Sequence, residues 1–195
     1  MTAGEWKEMV RGWLSDGSFD DRLPEVAALR GVQQPEEYHA EGDAFTHTML
    51  AMKAVDDDAD QRVFWGTLLH DIGKAEKTRF EGGRWRSKGH AEAGAEMVPA
   101  IMERVGLPHL SRDVFWLVKH HLFHFSWNLG NELKLTGNQR RFMEHPLFPQ
   151  LLQVCIADAD ASHGRSNKGK KIMHIGEIFE EEYSGGEKQG VRREE

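Results

Sequence analysis

The sequence predicts an all-α domain, a helical bundle interrupted by one small hairpin or extended loop near residues 78–88. Three observations predict it. β-Branched residues are sparse, while Leu, Ala, Met, Glu and Lys gather in helix-like groups between turn residues. The stretch 61–72 is apolar on nearly every face, with Val63, Phe64, Trp65, Leu68, Leu69 and Ile72, which marks a central buried helix. The chain has 195 residues, 39% hydrophobic and 29% charged, enough for one core and unlike a disordered or fibrous sequence.

The elements follow in order. Residues 5–14 and 23–29 read as short amphipathic helices, the second stopped by Gly31 with Pro35 beyond it. After a polar loop over 32–42, Asp43 caps a helix that carries His47 and runs to about Val55. The acidic run 56–60 turns the chain into the central helix, which Gly73 ends, leaving His70 and Asp71 in its last turn. Alternation around Gly82 and Gly83 predicts the hairpin. His90 opens a helix that Pro99 kinks and that Gly106 and Pro108 close. A helix over 110–123 carries His120 and His121 in its last turn, followed by a looser stretch over 126–136. Helices over 139–144 and 147–161 come next, with Asp158 and Asp160 near the end of the second. Residues 1–176 form a single domain on this reading. The segment 163–171 bears Gly, Lys and Arg, and 177–195, with seven Glu against three Lys and Arg, is a frayed acidic tail.

Charge and cysteine content narrow the function classes. Twenty-five Lys and Arg against thirty-two Asp and Glu leave a net charge of -7, so general attraction to a DNA duplex or an anionic membrane is not expected. Any phosphate binding must come from local patches. Two basic runs, 74–88 and 165–171, each follow a candidate ligand segment and so flank the mouth of a site, with Trp85 placed to stack on a nucleobase. The single Cys155 excludes an internal disulfide and a thiolate metal cluster, as in a reducing compartment. Glu5, Lys7 and Glu8 stand where a signal peptide would have an apolar core, and no apolar run approaches the roughly 20 residues of a membrane span. A cytoplasmic location is the expectation.

The eleven histidines carry the most information. One His-Asp doublet is about what chance gives such a chain, but His70-Asp71 ends an all-apolar helix, where both groups are costly to bury without partners. A bound cation would provide one. His47, His90, the pair His120-His121 and Asp158 each lie within or beside an apolar helical stripe, so each could point to a shared centre. Imidazole and carboxylate donors suit Mn, Fe, Co, Ni or Zn, with Mg possible if few His ligands take part. Two cations about 3.5–4 Å apart, bridged by a carboxylate, activate water and clamp a phosphoester oxygen.

Three ordered stretches now carry a resemblance: Gly-Asp-Ala-Phe-Thr-His-Thr-Met at 42–49, Leu-Leu-His-Asp-Ile-Gly-Lys at 68–74, and Gly-His-Ala-Glu-Ala-Gly-Ala at 89–95. With Ala157-Asp158 after Leu151-Leu152, the chain resembles the HD superfamily of metal-dependent phosphohydrolases over about 31–162. In detail it is similar to the HD domain attached to bacterial tRNA nucleotidyltransferases and related poly(A) polymerases. The resemblance implies an HD-domain helical bundle with one or two divalent metal ions. The implied metal ligands are His47, His70, Asp71 and Asp158, with His90 and His121 completing a second site and His120 the substitute for His121. It also implies that Asp71 with its metals generates hydroxide and that Lys74 neutralises charge on a substrate phosphate. Only residues 1–30 precede the matching region, where those nucleotidyltransferases carry a catalytic domain, so nucleotide addition is not expected. The expected activity is hydrolysis of a phosphomonoester or phosphodiester, in a phosphorylated small molecule, nucleotide or RNA end. The alternatives are an HD-type di-iron oxygenase and a non-catalytic nucleotide-binding module.

Overall fold

A computed structural model describes residues 1–127, 135–165 and 167–184. The chain runs α1 (Ala3–Asp16), α2 (Phe19–Arg22), α3 (Pro24–Ala27), α4 (Ala44–Ala54), α5 (Gln61–Leu69), α6 (Lys74–Lys77), β1 (Arg79–Glu81), β2 (Arg84–Arg86), α7 (His90–Arg104), α8 (Ser111–His120), α9 (Gly137–Met143), α10 (Phe148–Ala161) and α11 (Lys168–Phe179). The fold is mostly all-α, as the sequence predicts, and the two strands form only an antiparallel hairpin.

Local chemistry sets the helix starts. Thr2 and Glu5 form a reciprocal capping box on α1, Asp43 accepts from the Thr46 N–H at α4, and Asp60 accepts from the Arg62 N–H at α5. Each such cap contributes about 1 kcal/mol. Helix α5 is the axis of the bundle. Val63, Phe64, Trp65, Leu68 and Leu69 are all buried, and the helix packs on α1, α4, α8 and α10. Helix α10 in turn packs on α4 and α11, and α8 lies against α7. These contacts bring the ends of α4, α5, α8 and α10 and the start of α7 to one region of the bundle.

The hairpin forms where the sequence places it. Arg79 pairs with Arg86, Phe80 with Trp85 and Glu81 with Arg84, around Gly82 and Gly83 at φ of 61° and 77°. Two consecutive left-handed residues are what a tight turn between twisted strands requires. Among the described residues, no helix is long and apolar enough to cross a membrane.

Four expectations need correction. The single helix over 23–29 is two short turns, because Pro24 has no N–H to continue α2 and instead starts α3. The central helix stops at Leu69, so His70 and Asp71 lie in the turn between α5 and the short helix α6. Gly73 is not a left-handed stop, since its φ is -66°. A Cβ there would lie 2.1 Å from the His90 carbonyl oxygen and 2.6 Å from the Gly94 nitrogen, so Gly73 serves a close backbone approach to α7. The boundary expected at 176 falls inside α11, which continues into a further helical turn over 180–184. Ile172, Ile175 and Ile178 bury one stripe of α11, and Phe179 reaches the Phe148 ring at 5.0 Å. The charged residues between them hid that stripe from a reading based on composition. Residues 185–195 of the expected tail, and 128–134 of the looser stretch, lie outside the described residues.

The Gly73 contact yields a prediction. A methyl at this position forces two packed backbones apart, and overpacking of this kind costs about 3 kcal/mol. Gly73→Ala should therefore lower the melting temperature by roughly 6–12 °C in a chain of this size. Gly94→Ala, whose nearest contacts are 3.1 Å and 3.2 Å, should cost less in the same thermal melt.

Candidate metal centre

His47 comes from the first turn of α4, His70 and Asp71 from the turn after α5, His90 from the start of α7, His121 from the end of α8, and Asp158 from the last turn of α10. All six are buried. The histidines are aimed by the backbone that carries them. The Nδ1 atoms of His70, His90 and His121 each face the carbonyl oxygen three residues back, of Thr67 at 2.6 Å, Ser87 at 2.7 Å and Val118 at 2.7 Å. A carbonyl can only accept, so each Nδ1 carries a hydrogen, and the neutral form of each ring presents its lone pair at Nε2. His47 is oriented differently, with Nδ1 2.7 Å from the Glu41 carboxylate.

The lone pairs converge on Asp71. Its Oδ1 lies 3.1 Å from His90 Nε2 and 3.9 Å from His121 Nε2. Its Oδ2 lies 3.2 Å from His70 Nε2, 3.9 Å from His47 Nε2 and 2.6 Å from Lys74 Nζ. Asp158 Oδ1 closes the second side, 3.0 Å from His47 Nε2 and 3.7 Å from His70 Nε2. Asp71 thus stands between two donor groups, His47 with His70 and His90 with His121, each set able to hold an ion with it.

This donor set fits a divalent cation. The Nε2 atoms of His90 and His121 are only 3.3 Å apart, and both are acceptors once the Nδ1 hydrogens are assigned. Two facing lone pairs need a proton or a cation between them. Burial, then the neighbouring His90 and His70, push His121 well below its usual range, which makes the proton the poorer choice. His70 Nε2 is buried with no hydrogen-bond partner among the described residues, a cost that metal coordination would remove. Imidazole with carboxylate is the chemistry of Mn, Fe, Co, Ni and Zn. His47, His70, Asp71, Asp158, His90 and His121 are therefore the residues that could hold one or two ions.

Counter-charges keep the carboxylates ionised. Burial favours neutral acids, but beside Asp71 it is outweighed by His70 and Lys74, and beside Asp158 by Lys168 and His47, so both carboxyls sit well below the usual range. Lys168 Nζ is 2.5 Å from Asp158 Oδ2. Lys74 Nζ also donates to Gln34 Oε1 at 2.7 Å. Burial pulls His47 down, but hydrogen bonds to Asp158 and Glu41 win and raise it to about 9.

The structure separates residues that the sequence could not. His121 is at Asp71, whereas His120 packs on Trp116 and Phe142 at ring distances of 4.9 Å and 5.3 Å. Asp158 is buried and Asp160 exposed. Lys74 sits inside the centre, on Asp71. Glu41, Gln34 and Lys168 are partners that sequence reasoning missed. Glu41 also faces His39 at 2.8 Å and accepts the His163 N–H at 2.9 Å. No helical spacing connects it to His47, so only the folded loop brings it there. The two basic runs do meet: Arg84 and Arg86 from one, and Lys168 and Lys171 from the other, line one cavity beside the centre.

Comparison with known proteins bears on this geometry. Residues 38–164 match the family model described as HD domain. The "Multifunctional CCA protein" of Halorhodospira halophila is 33% identical over 177 residues, covering 82% of this chain and 42% of that protein. The protein of the same name from Alkalilimnicola ehrlichii is 34% identical over 172 residues, 79% of this chain and 41% of that protein. In Psychromonas ingrahamii the figures are 30% over 158 residues, 78% and 38%. The chain spans about two fifths of the length of these curated relatives.

Two outcomes follow for metal binding. His47 is raised to about 9, so it is protonated at pH 7.5 and must give up that proton for Nε2 to bind a cation. Calorimetric titration with Mn²⁺ or Ni²⁺ in buffers of different ionisation enthalpy should show proton release at pH 7.5 that fades above pH 9. Glu41→Gln weakens the group that orients His47 and should lower metal affinity about 10- to 100-fold in the same titration.

Proposed function

The chain belongs to the HD domain family, whose members are metal-dependent hydrolases, and from that premise we propose that it hydrolyses a phosphomonoester or phosphodiester of a nucleotide or RNA end. The observation that carries this reading is the ring of imidazole lone pairs converging on the buried Asp71 carboxylate. In this proposal His47, His70, Asp71 and Asp158 would hold one divalent ion, and Asp71, His90 and His121 would hold a second. Ions so held lower the pKa of water and polarise a phosphoryl oxygen. The resemblance to the HD domain of tRNA nucleotidyltransferases favours nucleotides and RNA ends over other phosphoesters.

The chain's own residues supply position and charge. Asp71 has one oxygen toward each imidazole set, so its carboxylate could serve as a ligand with either set. Lys74 keeps that carboxylate ionised, and by exchanging its Gln34 partner for a phosphoryl oxygen it would neutralise charge gained during attack. Lys168 does the same for Asp158. His90 is the least enclosed of the six.

The test is hydrolysis of bis-p-nitrophenyl phosphate by metal-stripped protein reloaded with manganese, nickel, cobalt, magnesium or iron. Turnover that depends on the metal is expected, and Asp71→Ala should reduce it to the metal-free blank while leaving the helical circular dichroism intact. Silence with every metal, or full activity in Asp71→Ala, overturns the reading. Oxygen consumption with ferrous iron in place of phosphoester cleavage would assign the centre to an oxygenase.

A further inference from the structure

Beside the Asp71 centre lies a cavity of about 590 Å³, within the range that takes a whole small ligand. Its walls come from four regions distant in sequence: the loop with Tyr38 and His39, the β1–β2 hairpin, His124 with Phe125, and the start of α11 with Ser162 before it. His39, which lines it, stands 4.8 Å from the His47 ring between centroids, and Lys168, also in its wall, is paired with Asp158, so the cavity adjoins the centre.

The wall is cationic. Arg84, Arg86, Lys168 and Lys171 line it, and among the described residues no carboxylate does, in a chain with a net charge of -7. Lys168 is committed to Asp158. Among the described residues, Arg84, Arg86 and Lys171 have no carboxylate partner. Helix α11, twelve residues long, presents the N-terminal end of its dipole here, and its first-turn N–H groups have no acceptor within the helix.

His124 is the second, independent sign of a ligand. Its side chain is 1% exposed, yet neither ring nitrogen has a hydrogen-bond partner among the described residues. An orphaned buried imidazole is costly, and the His124 ring borders the cavity. Burial, then Lys168, hold it near 4, so it is neutral and one ring nitrogen carries a hydrogen. Trp85 adds an aromatic face on the same wall, and Phe125 a second, 63% exposed.

We infer that this cavity is a second phosphoryl subsite, which selects nucleotides carrying two phosphoryl groups. One group is cleaved at Asp71, and the other is held by Lys171, Arg84, Arg86 and His124 with the base against Trp85. The inference rests on the phosphohydrolase reading for the first group alone. Charge is the reason for a second. The centre's carboxylates already have Lys74 and Lys168, so three further cations, a neutral imidazole donor and a helix N-terminus exceed what one phosphate requires, and they match a second dianion.

The experiment is calorimetric titration of chelator-treated, metal-free protein with adenosine 3′-monophosphate, adenosine 3′,5′-bisphosphate and inorganic phosphate. The bisphosphate should bind at least 10-fold more tightly than the monophosphate. That ratio should fall toward one in Lys171→Ala/Arg86→Ala, and His124→Phe should reduce it. Arg84→Ala/Arg86→Ala, on a hairpin outside the core, gives the same reading if the first variant does not fold. Trp85→Ala should weaken both nucleotides and leave inorganic phosphate unaffected. Equal affinity for the two nucleotides in the unaltered protein, or a ratio that survives both double variants, overturns the inference. Because no metal is present, such a failure leaves the hydrolysis reading standing. An intact ratio in a protein that hydrolyses nothing with any metal faults the hydrolysis reading and keeps the subsite.

Discussion

The convergence of acceptor atoms on Asp71 is the constraint to which the rest of the fold answers. Carboxylates and imidazole lone pairs that face one another in a dry interior repel, and each has given up its water. Such a cluster survives only if the scaffold is rigid enough to hold it and a cation is available to bind it. The scaffold here is the α5 axis with α4, α7, α8 and α10 packed around it. The three Nδ1 hydrogen bonds to carbonyls in the preceding turn make each ring part of its own helix end. Rotating one of these imidazoles would cost that hydrogen bond, so the direction of the Nε2 lone pair is fixed by the backbone.

Gly73 belongs to the same constraint. The close approach of its backbone to His90 and Gly94 fixes the turn that carries Asp71 against the start of the helix that carries His90. The 3.1 Å separation of Asp71 and His90 is therefore a product of backbone packing as much as of side-chain attraction. Stability and geometry at the centre are not separable at this point. A methyl group that loosens the contact also moves a carboxylate relative to its imidazole.

The parts of the site that the sequence makes legible are those tied to helix ends. His47, His70, Asp71, His90, His121 and Asp158 each sit near the terminus of an apolar element, where a buried polar group has no local reason to be. Glu41 was invisible because it comes from a loop with no periodicity, and Lys168 because α11 read as a basic connector. The spacing of Ile172, Ile175 and Ile178 was the signal for that helix, obscured by Lys168, Lys170 and Lys171 among the same residues. Gly73 shows a different limit. A glycine after a helix serves equally as a left-handed cap or as a point of contact, and only the neighbouring backbone distinguishes them. The choice between His120 and His121 likewise turns on helix phase at the end of α8, which one residue of error in its boundary would reverse.

Charge placement joins the centre to the cavity beside it. The acidic surplus of the chain would oppose a phosphorylated ligand if it were spread over the approach, and a bare carboxylate cluster would oppose it most. Instead each buried acid has its own counter-charge: Asp71 has Lys74, Asp158 has Lys168, and Glu41 has His47. The field of these acids is met within a few ångströms, where the low dielectric makes pairing strongest. Arg84, Arg86 and Lys171 then set the potential at the mouth. An acidic protein can so present a positive entrance to a centre built on carboxylates, because what an anion meets on arrival is the local pairing rather than the net charge.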